Sequence, residues 1–104
     1  MPTLTSSATV ATAAPARYAK QLAAHLGRKL AAEPTATGYR LAFDAGRCDL
    51  VVDEPGATLT LNAAADDAGM LSRVENVVGS HLVRFGSRAE LVVEWSTGNR
   101  HEAE

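Results

Sequence analysis

Between Gly38 and Ala63, three short runs alternate apolar and polar residues, with turn-forming residues between them. In GYRLAFD, Tyr39, Leu41 and Phe43 share one side, and Arg40 and Asp44 fall on the other. RCDLVVD sets Cys48, Leu50 and Val52 against Arg47, Asp49, Val51 and Asp53, and ATLTLNA sets Leu59 and Leu61 against Thr58, Thr60 and Asn62. Asp44-Ala45-Gly46 and Glu54-Pro55-Gly56 make the joins. Successive strand residues point to opposite faces, so three such runs on tight turns predict an antiparallel meander with one apolar face. A chain of 104 residues must cover that face with its remaining segments.

Two stretches can do so. In the first, Tyr18, Leu22, His25, Leu26 and Lys29 recur at helical spacing, with Thr12 as a cap and Pro15 in the first turn. Gly27 and Pro34 bracket the exit, which places the helix end near Arg28 or Lys29. In the second, Leu71, Val74, Val77, Val78, His81, Leu82 and Phe85 form a stripe opened by Asp66 or Asp67 as N-cap and closed by Gly86 as a C′ residue. Ser7 to Thr12 reads as a first strand that suits a sheet edge, with Met1 to Thr5 frayed before it. AELVVEW reads as a last strand, with Leu91, Val93 and Trp95 inward and Glu90, Val92 and Glu94 outward. The expected fold is α+β, a two-layer sandwich in the order β-α-β-β-β-α-β, its sheet mainly antiparallel and both helices on one face. Residues 1–104 form one domain in this reading, with an ordered core over about 7–96 and a flexible tail at 97–104.

Composition narrows the function classes. Ten Lys and Arg against twelve Asp and Glu leave a formal charge of -2, which provides no broad positive field for nucleic acid. No stretch has the length or apolarity of a membrane span, and the N-terminus lacks the basic start and apolar core of a signal peptide, so the expected compartment is the cytoplasm. The single cysteine excludes an internal disulfide. No glycine-rich phosphate loop is present.

Arg17-Tyr18 and Gln21-Leu22 leading to His25 and Lys29, Gly46-x-Cys48 opening a strand, and His81-Leu82-x-Arg84-Phe85 followed by Arg88-x-Glu90-Leu91 and Trp95 together resemble a small bacterial family, the domain of unknown function 2218. The resemblance runs from about Ala8 to Trp95, and Arg28 stands where a second first-helix histidine is expected. It implies no established activity. Related domains appended to siderophore-interacting reductases imply, by association, a siderophore-reductase system as partner and a role in iron acquisition.

The residues themselves place His25 and His81 on the two helical stripes and Cys48 on the strand face beneath the helices. All three can therefore enter one layer. Thiolate and neutral imidazole are donors for zinc or iron, and three protein ligands would leave one position open. A second reading makes Cys48 a nucleophile whose proton passes to His25 or His81. A third leaves a structural interaction module in which Cys48 is a small apolar residue and the histidines bound the core. Arg84 and Arg88, with Arg73, are the expected anion-binding edge for a phosphate or a carboxylate-bearing siderophore. The open sheet face, bearing Arg40, Arg47, Asp49, Thr58, Thr60 and Asn62, is the expected surface for a homodimer or another partner.

Overall fold

The computed structural model describes residues 4–86 and 91–97. Strand β1 (Leu4–Ala11) leads to helix α1 (Pro15–Leu26), then strands β2 (Ala31–Pro34), β3 (Gly38–Phe43), β4 (Gly46–Asp53) and β5 (Thr58–Ala65), helix α2 (Ala68–Phe85) and strand β6 (Ser96–Thr97). The strands form one sheet in the order β2-β3-β4-β5-β1-β6, and every pairing is antiparallel. The expected meander is β3-β4-β5, with Leu41 opposite Cys48 and Cys48 opposite Ala63.

One face of this sheet carries Val10, Leu41, Cys48, Leu50, Leu59 and Leu61, all fully buried. They pack into a single core with Tyr18, Leu22 and Leu26 of α1 and Leu71, Val74, Val78 and Leu82 of α2. Both helices therefore lie on the same face, as the alternation requires. Each fully buried leucine contributes roughly 2 kcal/mol through removal of its apolar surface from water. Ser6 is the buried polar side chain on this face, and its hydroxyl donates to Glu75 Oε2 of α2 at 2.6 Å, tying sheet to helix.

Both helix starts follow from local chemistry. Asp67 caps α2, its carboxylate accepting from the Met70 amide at 2.8 Å. Pro15 occupies the first turn of α1, where its missing N–H costs no helical bond. The N-cap there is Ala14, not the expected Thr12, which stands two residues before it and accepts the Ala14 N–H on Oγ1 at 3.1 Å.

Four sequence expectations change. The first strand starts at Leu4 and lies inside the sheet between β5 and β6, so Leu4 and Thr5 are laddered against Ala65 and Ala64. Helix α1 ends at Leu26, and residues 27–30 form a tight turn in which the Lys29 and Leu30 amides both donate to Leu26 O. Ala31–Pro34 is an additional edge strand paired with β3. Its AAEP sequence has no apolar alternation, and its terminal proline is tolerated because an edge strand has one unpaired side. Finally, the expected AELVVEW strand is not laddered over its described part, and strand structure is confined to Ser96–Thr97 beside β1. Its facing was nevertheless as expected: Leu91 is buried, Val93 and Trp95 are half-buried against the core, and Val92 is exposed. A Cβ at Gly79 of α2 would meet Trp95 Nε1 at 3.3 Å and Val93 Cγ1 at 3.6 Å, so this segment packs closely on the helix where the glycine leaves its surface bare. At Gly86 a Cβ would overlap the Leu91 side chain outright, and the φ of -101° shows that close approach, not a left-handed stop, accounts for this glycine. Among the described residues, the left-handed one is Ala57, at φ 55° in the turn after Gly56.

Candidate functional site

Along one side of α2, Met70, Arg73, Val77 and His81 succeed one another at three- or four-residue intervals and so share a stripe beside the buried one. The turn that ends α1 stands across from this stripe and contributes His25, Leu26, Arg28, Lys29 and Leu30. Phe43 and Asp44, where β3 turns into β4, close the end. Together they line a cleft of about 540 Å³. Its apolar lining comes from Leu26, Leu30, Phe43, Met70 and Val77. Its charged groups are three fixed cations, Arg28, Lys29 and Arg73, against one carboxylate, Asp44. The cleft is thus positive in a chain whose formal charge is -2.

The two histidines meet here. Their ring centroids are 5.0 Å apart with the planes inclined at 44°. Phe85, one further turn along α2, presents itself edge-on to His25 at 5.5 Å and lies 6.4 Å from His81. His81 Nδ1 is 2.6 Å from the backbone oxygen of Val77. A carbonyl can only accept, so Nδ1 carries the proton and the neutral ring presents Nε2 as its lone-pair nitrogen. His81 is half-buried, whereas His25, in the last turn of α1, is exposed at the rim.

Cys48 does not join them. It is fully buried in the core between Leu41 and Ala63, and is absent from the lining of the cleft. Burial, with the negative charge of Asp49 next to it, pushes its thiol up to about 12. A nucleophile or thiolate ligand needs the opposite shift. Among the described residues, no three His, Cys, Asp or Glu side chains are arranged to hold a metal ion. The expected His25, Cys48 and His81 constellation is therefore corrected to a histidine pair. Shared facing had suggested the trio, but facing does not specify depth along the layer.

Of the three arginines in the expected anion-binding edge, one lines the cleft. Arg84 is exposed and outside the cleft lining, and Arg88 lies outside the described residues. Arg73, the third arginine of that expectation, lines the cleft, joined by Arg28 and Lys29. Spacing does not mark the latter two as site residues, because they follow the last regular turn of α1 and their direction depends on how the chain leaves it. The spacing Arg73, Val77, His81 was available in the sequence as a sign that Arg73 shares the histidine's side of α2.

The opposite, open face of the sheet carries a cross-strand row of Ser7, Asn62, Asp49 and Arg40. Arg40 grips Asp49 with two bonds, from Nε at 2.6 Å and Nη2 at 3.2 Å. A smaller concavity of about 300 Å³ lies along this face, lined by Thr5, Ser7, Arg47, Asp49 and Asn62 among others. No helix among the described residues is long and apolar enough to cross a membrane.

The fold is similar to that in the "NMR structure of PA4090 from Pseudomonas aeruginosa", with a TM-score of 0.75 and 27% identity over 89% of this chain and 95% of that one. No curated protein matches the chain. Residues 7–96 match the bacterial family described as "Uncharacterized protein conserved in bacteria (DUF2218)", and the chain belongs to that family.

Proposed function

We propose that this protein binds a small organic anion with an apolar or aromatic part in the cleft between α1 and α2. The supporting observation is the convergence of Arg28, Lys29 and Arg73 with His25 and His81 around a cleft whose remaining surface is largely apolar. Guanidinium and ammonium groups meet carboxylate, sulfonate or phosphate oxygens through charge-assisted hydrogen bonds. Phe43, Leu26, Leu30 and Met70 would remove the ligand's apolar part from water. The cleft volume of about 540 Å³ is in the range of small-molecule sites. A carboxylate-bearing iron chelator, as suggested by the siderophore association, is one member of this ligand class.

The buried, high-pKa Cys48 gives no support to thiol-dependent catalysis, so binding is favoured over that enzyme reading. Calorimetric titration with naphthalene-2-sulfonate and citrate tests the proposal. Saturable binding of either, weakened about tenfold or more in Arg73→Gln as expected for loss of one charge-assisted contact, is the predicted result. Absence of binding by both, or binding indifferent to Arg73→Gln and to Lys29→Gln, would remove it.

A further inference from the structure

We infer that His25 and His81 form a two-imidazole site for a divalent ion of the zinc class, open to the cleft. Zinc–nitrogen bonds of about 2.0–2.1 Å, with the ring centre about 1.2 Å beyond the nitrogen, put each centroid about 3.2 Å from the ion, and a tetrahedral angle then separates two centroids by about 5.2 Å. The observed separation is 5.0 Å. That separation is compatible with two imidazoles on one ion.

The bond from His81 Nδ1 to the Val77 carbonyl supplies the orientation. Metal-bound histidines commonly donate their other ring N–H to such an acceptor, which leaves Nε2 to the ion. His25 is exposed at the end of α1, so its ring can turn to complete the pair without disturbing the core. Two ligands leave the other positions to water or to an anion, as suits an exchangeable ion.

The surrounding charges set the strength of the site. Asp44 favours a cation, whereas Arg28, Lys29 and Arg73 oppose it. Removal of Arg73 should therefore tighten zinc while it weakens the organic anion. These opposite signs separate this inference from the anion-binding reading.

Zinc is titrated calorimetrically into the untagged full chain and into His25→Gln, His81→Gln, His101→Gln and Arg73→Gln, with circular dichroism confirming that each folds. One equivalent should bind. Its affinity should fall at least tenfold in His25→Gln and in His81→Gln, remain unchanged in His101→Gln, and rise about threefold in Arg73→Gln. No saturable binding at millimolar zinc, or binding that survives both cleft-histidine substitutions, would overturn the site. Because naphthalene-2-sulfonate is titrated without zinc, failure of zinc binding with sulfonate binding intact removes only the metal site. The converse result removes only the anion reading.

Discussion

His81 donates its Nδ1 proton to the carbonyl of Val77 at 2.6 Å, one helical turn earlier on α2. This bond fixes the tautomer of a ring that also stands 5.0 Å from that of His25. Long-range nitrogen–proton correlation spectra of the neutral ring should show Nδ1 protonated and Nε2 bare. The reverse tautomer would contradict the bond and withdraw Nε2 as a base or ligand.

Cys48 should be inert in the native protein. Its thiol is fully buried and pushed up to about 12 by burial and by Asp49. Alkylation by iodoacetamide at pH 8 is expected only at the rate of global or local opening, and should accelerate to that of a free thiol in denaturant. Linkage has a definite sign here, because the folded-state value lies above the ordinary thiol value of 9.0. The contribution to stability is fully present below that ordinary value. It declines as pH rises toward about 12, where the unfolded chain has released a proton that the folded one retains. The slope from this group is at most roughly 1.4 kcal/mol per pH unit, measurable by denaturant melts between pH 8 and pH 11.

Two local substitutions should shift stability in opposite directions. Asp67→Ala removes the acceptor for the Met70 amide and should cost about 1 kcal/mol. Ala57→Gly relieves a left-handed residue at φ 55° and should stabilise by about 0.5–1 kcal/mol after the entropy cost of glycine in the unfolded chain. Urea unfolding of both variants checks the pair.

Gly79→Leu should detach the segment that packs on α2. The space that a side chain would enter there is occupied by Trp95 Nε1 and Val93 Cγ1. Trp95 is the only tryptophan, so its fluorescence should shift to longer wavelength as the indole meets water. An unchanged spectrum would mean that the indole does not rest on Gly79.

Much of this architecture was readable because its causes are local. Alternation at Leu59 and Leu61 identifies a face, and Asp67 ahead of an apolar stripe identifies a helix start. The misses concern pairing and depth. Ala31–Pro34 becomes a strand only because β3 offers a partner, and nothing in AAEP signals it. Leu91, Val93 and Trp95 carry the right facing without a ladder, because a period of two reports which side is buried and not which neighbour is bonded. His25 and Cys48 share a layer, yet one is exposed at the end of a helix and the other sealed beneath both helices. The cationic rim from Arg28 and Lys29 depends on the turn after Leu26, which side-chain periodicity does not describe.

The proposed role of the histidine-lined cleft is to receive an organic anion. Amide and methyl spectra recorded while naphthalene-2-sulfonate is added test it most directly, since the sulfonate keeps its charge across the working pH range. Saturable shifts are expected, concentrated at His25, Leu30, Phe43, Met70, Val77 and His81, and they should lose saturation in Arg73→Gln. Shifts centred on Ser7, Asp49 and Asn62 of the open sheet face, or none at millimolar ligand, would contradict it.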